Sequence, residues 1–311
     1  MVTNAANQRV SEDKSEALYP IRTIAAMTGV NAVTLRAWER RYNLIRPQRT
    51  PKGHRLYTRQ DIDLINKVVK LVKQGIAISQ VGNYLSNQTT LDDRSQPAED
   101  PWQAYQARML VAVHHFDDRA LDQVYNDALS LYPVSLVTLQ LIIPMLKTLG
   151  ERWDEVEAGI AEEHFFAMFL RNKLGARFHH LNEQGRGPTI VAACIPGEFH
   201  EVGLLLFCLS LVSHGFRIVL LGANTPLQDL PVVVERSSAQ AIVLSASSRP
   251  PRKFFQEQLA PLVAAVSMPV YLGGSASLGY QEQTQAAGAI TLGGDYQTAI
   301  ETLSARLGMR D

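Results

Sequence analysis

Apolar residues recur at different spacings along the chain, and the spacing divides it into three parts. The first part carries short helical runs separated by breakers. Tyr19 to Gly29 reads as a short helix ended by glycine, and Asn31 caps a second, Ala32 to Tyr42, with Leu35 and Trp38 on its inner side. Pro47 to Lys52 is a breaker-rich link, Lys52-Gly53 reads as the tip of a hairpin, and His54 to Tyr57 as its return strand. Thr58 caps a helix carrying Ile62, Ile65, Val68, Val69 and Val72, which Gly75 ends. Ile78 to Leu85 supplies one more short helix, so the whole predicts a winged helix-turn-helix head.

From Trp102 to Leu181 the spacing is helical again, with breaks at Asp117-Asp118, Tyr132-Pro133 and Asp154 to Gly159. Four helices on this spacing predict a small bundle, whose third member, Pro133 to Trp153, brings Leu139, Ile142, Ile143, Leu146 and Leu149 to the core. After Gly185 to Pro188 the pattern changes to alternation. Strands are expected at Thr189 to Ile195, Arg217 to Leu221, Ala241 to Ser245, Val270 to Leu272 and Ala289 to Leu292. Helices are expected at Val202 to His214, Pro231 to Ala239, Lys253 to Val266 and after Asp295. Such a series predicts a doubly wound, Rossmann-like parallel sheet. The expected divisions are a disordered tail 1–17, the head 18–86, a polar linker 87–101, the four-helix bundle 102–183 and the α/β domain 188–311, a multidomain α and α/β chain.

The 311 residues leave room for two or three domains with ample cores. No apolar run reaches membrane-spanning length, and the polar start lacks a secretory signal, so a cytoplasmic protein without membrane contact is expected. Cys194 and Cys208 sit in apolar stretches without metal-ligand spacing and read as reduced core thiols. The net charge is zero, but its distribution is uneven. Between Ile21 and Thr58 the sole acid is Glu39, against Arg22, Arg36, Arg40, Arg41, Arg46, Arg49, Lys52 and Arg55. That local excess is an electrostatic footprint for phosphate. The second helix of the head would enter a major groove, with Arg36 and Arg40 on one face and the wing placing Arg55 and Tyr57 at the backbone. The DNA-binding set expected here is Thr34, Arg36, Arg40, Arg41, Tyr42, Arg55 and Tyr57. A solvated basic face would explain the arginines, but not the ordered succession of cap, helix, wing and helix.

In the last third, loops at the strand carboxyl ends converge on one rim, carrying His200, the stretch Ser245 to Ser248 that includes Ser247, and Gly273-Gly274. Within Glu198-Phe-His200-Glu-Val-Gly203, an imidazole with one nitrogen held by Glu198 can offer the other to a metal, and Gly203 lets a bulky group lie against the helix start. Each of these also has a plain reading, as polar decoration, helix cap or turn. Trp153 precedes His164 by eleven positions. An indole there is more often a core plug than a cofactor lid, and Glu163 and His164 also read as a first-turn acid and a surface imidazole. Neither a phosphate-binding glycine loop nor a nucleophile elbow is present. A single histidine with an acidic partner, a serine-rich loop and a glycine pair suits a large, flat metal cofactor that brings most of its own ligands.

The run Val33-Thr-Leu-Arg-Ala-Trp-Glu-Arg-Arg-Tyr42, with Pro47-Gln-Arg-Thr and Gly53-His-Arg-Leu-Tyr57, resembles the DNA-binding domain of MerR-type transcription regulators. The motif ending in Gly203 resembles the cobalamin-binding domain of the methionine synthase type. That resemblance implies His200 as lower cobalt ligand, Glu198 as its hydrogen-bonding partner, Gly203 as the closing glycine, and Ser245 and Gly273-Gly274 beside the nucleotide tail. The two joined resemble the CarH/LitR family of cobalamin-dependent, light-responsive repressors across nearly the whole chain. The family's tryptophan and Glu-His pair fall on Trp153, Glu163 and His164, and Ile160 sits where an apolar pocket residue is expected. The resemblance implies adenosylcobalamin as cofactor, double-stranded operator DNA as partner, and a dark homo-oligomer, dimer or tetramer, that light dissolves. Where the family's light receptor has a histidine after the tryptophan, this chain has Asp154, a poorer partner for cobalt. A regulator of the same architecture that senses another ligand or only dimerises is the alternative, and a corrinoid enzyme or carrier a third reading that the winged head disfavours.

Overall fold

The computed structural model describes residues 17–86, 100–153, 156–251, 253–293 and 296–308. The expected tail, most of the expected linker and Asp154 lie outside them. The chain divides into two compact units, Met1–Phe165 and Phe166–Asp311.

In the first unit the head begins with β1 (Tyr19–Pro20), followed by α1 (Ile21–Thr28) and α2 (Ala32–Tyr42). Tyr19 and Pro20 are therefore strand and not helix. They pair antiparallel with β3 (Arg55–Tyr57), because proline at the helix start leaves the preceding residue extended. The Asn31 side chain accepts from the Thr34 N–H at 2.8 Å and starts α2. β2 (Gln48–Arg49) pairs with β3 to form the wing. At α3 (Arg59–Lys73) the Thr58 hydroxyl accepts from the Asp61 N–H while the Asp61 carboxylate accepts from the Thr58 N–H, a reciprocal cap worth about 1 kcal/mol. Ile62, Ile65, Val68 and Val72 on α3 are buried, as are Ile24 on α1 and Leu35 and Trp38 on α2, and α4 (Ile78–Ser86) packs on α3.

The bundle consists of α5 (Pro101–His114), α6 (Asp118–Leu131), a third rod and α9 (Gly159–Asn182), which continues into the second unit. The third rod is α7 (Val134–Val137), a π-helical turn over Thr138–Ile142, and α8 (Ile143–Glu151). The π turn inserts one residue and rotates the apolar stripe by about 100°. Leu139 is 52% exposed in consequence, Ile143 and Leu146 are half-buried, and the core positions are Leu136, Val137, Leu141, Ile142, Met145 and Leu149. The rod Val134–Glu151 is long and apolar enough to cross a membrane, contrary to expectation. Those buried positions pack in the bundle interior.

The second unit is built on five parallel strands: β4 (Thr189–Cys194), β5 (Arg217–Gly222), β6 (Ala241–Ser245), β7 (Val270–Gly273) and β8 (Ile290–Thr291). Their order is β5-β4-β6-β7-β8, and every pair is parallel. The chain leaves β4 to one side for β5 and returns to its other side for β6, so the topological switch point falls between β4 and β6. One face of the sheet packs on α10 (Glu201–Ser213) and α14 (Tyr296–Arg306), through Leu204, Phe207, Leu211, Ile300 and Leu303. The other packs on α11 (Leu230–Ser237) and α12 (Ala260–Ala265), through Leu230, Val234 and Leu262, with Leu259 of the turn before α12 beside them. The Asn182 side chain donates to the Ile218 carbonyl and accepts from its N–H, both at 2.8 Å, which closes the end of α9 onto β5. A short polar helix, α13 (Gln281–Ala286), was not expected.

Candidate functional site

The loop after β4 turns through Gly197, at φ +82°, and its N–H donates to the Asn224 side chain at 2.8 Å. It then delivers Glu198 to the interior and His200 to the N-terminal cap of α10. Glu198 is 1% exposed. One carboxylate oxygen accepts from the His200 backbone N–H at 2.8 Å and from His200 Nδ1 at 2.6 Å. The other crosses the switch point and accepts from the Ser247 N–H, the Ser248 N–H and the Ser248 hydroxyl at 2.7, 2.7 and 2.9 Å. Burial alone pushes the carboxyl up, but the His200 and Ser248 donors outweigh it and hold Glu198 below its ordinary value. The group stays an anion inside the protein. A carboxylate that only accepts fixes the hydrogen of His200 on Nδ1, and in the neutral ring this leaves the lone pair on Nε2. The imidazole is half-exposed at the rim.

Ser245 pairs in register with Cys194 on one side and Gly273 on the other, so the ends of β4, β6 and β7 form one line. Gly274, at φ +93°, lies so close to the loop after β6 that a Cβ there would sit 2.4 Å from the Ala246 carbonyl oxygen. Gly274 thus lets two rim loops touch. At Gly203 a Cβ would meet nothing within 4 Å, so the start of α10 presents a bare stretch of backbone to the outside. A histidine oriented by a fixed anion, with an open glycine beside it, fits a residue that would hold a cobalt-centred, flat cofactor. A groove of about 390 Å³ opens beside β5, lined among others by Arg171, Phe178, Glu201 and Leu220. Arg171 and Glu201 pair across it at 2.7 Å. The sequence reading missed this pair, since thirty positions separate the partners with no periodic signal.

In the first unit, Trp153 follows α8 and Gly159 opens α9. A side chain at Gly159 would collide with the backbone of Arg152 and Trp153. Glu163 is buried and His164 exposed, with Glu163 Oε2 3.8 Å from His164 Nε2, while Ile160 is 49% exposed. Glu162, which the sequence reading left without a role, is also buried. It accepts from His114 Nδ1 at 2.9 Å, and Arg152 stands 3.9 Å away.

On the head, Arg36, Arg40 and Arg41 are exposed along α2 and Tyr42 is half-buried. Glu39 binds both wing arginines, Arg49 at 2.7 Å and Arg55 through its Nε, and these guanidinium groups offset its partial burial and hold its carboxyl below the ordinary value. Two expected DNA contacts are corrected by burial. Thr34 is fully buried with its hydroxyl donating to the Leu129 carbonyl, and Tyr57 is fully buried in the head, where burial pushes its phenol up to about 12. Neither side chain is presented to a duplex.

Residues 19–88 match the family of MerR HTH regulatory proteins and residues 105–177 a B12 binding domain. The chain is 31% identical to the HTH-type transcriptional repressor CarH of Myxococcus xanthus over 86% of this chain and 92% of that one. It is also 31% identical to the repressor CarA of the same organism, over 92% and 94%. Among solved structures, a monomethylamine corrinoid protein of Methanosarcina barkeri shares the fold with a TM-score of 0.52 at 14% identity, over 65% of this chain and 99% of that one. Together the head, the bundle and the rim define a cobalamin-regulated, DNA-binding transcription regulator, not an enzyme. Within that class, the chain belongs to the CarH/CarA family of MerR-type repressors.

Proposed function

We propose that adenosylcobalamin is the form of the cofactor this regulator senses, that it controls how subunits associate on operator DNA, and that light ends the response. His200 would hold the metal from below, Glu198 would fix the ring that does so, and Gly203, Ser245, Ser247 and the Gly273-Gly274 pair would flank the cofactor. Trp153, Ile160, Glu163 and His164 would line its upper side. When bound, the cofactor supplies a light-cleavable cobalt–carbon bond. The protein's part is to orient it and to couple its presence to assembly. Two heads linked in one oligomer gain effective concentration on a two-part site, so a change of association alone changes DNA affinity strongly. The functional divisions are head 18–86, linker 87–101, bundle 102–183 and α/β domain 188–311, working in the cytoplasm where operator DNA lies.

The observation that carries this reading is the buried Glu198 carboxylate that fixes His200 across the switch point. Absorbance and gel filtration in the dark test it. The purified chain should retain adenosylcobalamin and shift to a larger species, light should reverse the shift, and His200→Ala should lose the axial-ligand signature. Equal binding by both proteins sinks ligation by His200. An absent cobalt spectrum with DNA binding indifferent to light would point instead to a regulator of this architecture that senses another ligand.

A further inference from the structure

The recognition helix has a second occupied side. Thr34 and Trp38, four residues apart and thus on one face of α2, are both fully buried. The Thr34 hydroxyl donates to the Leu129 carbonyl at 3.0 Å, the Trp38 indole N–H to the Leu131 carbonyl at 2.8 Å, and the Asn31 amide reaches the Leu129 carbonyl at 3.5 Å. Leu129 and Leu131 belong to the last turn of α6, where carbonyls have no partner within their own helix and carry the negative end of its dipole. Side chains of the head therefore cap a helix of the bundle. Beside this contact, Tyr132 packs on Trp102 with ring centroids 4.6 Å apart. Apolar contact alone would let two surfaces slide. Directional bonds from α2 to α6 do not. Arg36 and Arg40 remain exposed on the other side of α2.

We propose that Thr34 and Trp38 are positioning residues that fasten the recognition helix to the carboxyl end of α6, so that the bundle sets how α2 is presented to a duplex. They act on DNA reading without touching DNA. The link from cofactor to DNA rests on the function proposed above, whereas the docking does not.

The test uses the full chain. Its three tryptophans give three indole N–H signals in a ¹⁵N-labelled sample, and Trp38→Phe assigns the relevant one. The Trp38 indole should exchange slowly with solvent. Thr34→Val, which keeps the shape and removes the hydroxyl, should speed that exchange roughly fivefold, and Thr34→Ser should restore it. On a duplex selected from a random library against the unmodified chain, Thr34→Val should bring the ratio of affinities with and without adenosylcobalamin close to one. The salt slope should stay as it was, since no phosphate contact is lost. Unchanged exchange overturns the docking. A shallower salt slope with the cofactor ratio intact overturns the positioning role and makes Thr34 a direct DNA contact. If the cofactor does not bind at all, the indole exchange still decides the docking, so the two readings fail separately.

Discussion

Replacing Glu198 by glutamine removes one charge from the rim and changes little volume. The carboxylate accepts five hydrogen bonds, two from His200 and three from the loop after β6. A carboxamide has only one accepting oxygen. Directed at Ser247 and Ser248, it keeps that tie but turns its own N–H groups toward the His200 backbone N–H and toward Nδ1. The backbone donor is then left unsatisfied, and the imidazole meets a donor where it had an acceptor. The ring relieves this by moving its hydrogen to Nε2, which removes the lone pair a metal needs. Bonds to a buried charge are worth about 1.5–3 kcal/mol each, so the loss of the His200 pair should cost the α/β unit roughly 3–6 kcal/mol. Removing such a partner typically costs about 10–100-fold in metal affinity. Imidazole ¹⁵N shifts, with His200→Gln to assign the ring, report the tautomer without cofactor, and a spectral titration with adenosylcobalamin reports the affinity. Retention of the Nδ1–H form together with undiminished affinity would refute the reasoning.

Glu198 lies below its ordinary value in the folded chain, so its contribution is complete above the ordinary carboxylate range and is lost as pH falls through the folded value. Urea midpoints between about pH 6 and pH 3 should show that acid loss, and Glu198→Gln should flatten it. Gly203→Ala adds a methyl group on an open helical surface, which should raise stability by up to about 1 kcal/mol while weakening cobalamin retention. A calorimetric melt and a spectral titration separate the two effects. Gly274→Ala forces a side chain into the Ala246 carbonyl at positive φ, and a loss of more than about 2 kcal/mol is expected in the same melt. Arg36→Ala and Arg40→Ala should each lower the log–log salt slope by roughly 0.9 if the contact is to phosphate, or cost about 1–3 kcal/mol of base discrimination if it is to guanine. Unchanged operator affinity in both would move the reading face elsewhere.

Strands buried on both faces were the most legible part of the sequence. Ala241–Ser245 is a short apolar run between breakers, every residue of it is buried, and its limits coincide with the expected ones. Helix starts with a side-chain cap, at Asn31 and Thr58, were equally plain. What escaped had no local signature. One extra residue in a π turn changes no composition, yet it moved Leu139 out of the core. The polar α13 lacks an apolar stripe of its own. At the rim, the Glu198 and His200 pairing was visible because two positions separate them, but the bonds to Ser247 and Ser248 span 49 and 50 positions and depend on strand order. Thr34 was assigned to DNA from its place on α2, because nothing local says that a second domain covers that side.

One carboxylate on the head has a reach beyond its own helix. Glu39 stands on α2 and grips Arg49 and Arg55 on the two strands of the wing, so reading helix and hairpin form a single stiff piece. A duplex whose groove narrows or widens must then carry both along or rupture the clamp. With the clamp intact, affinity should fall on a duplex too stiff to take the groove width it imposes, and Glu39→Gln should lessen that penalty.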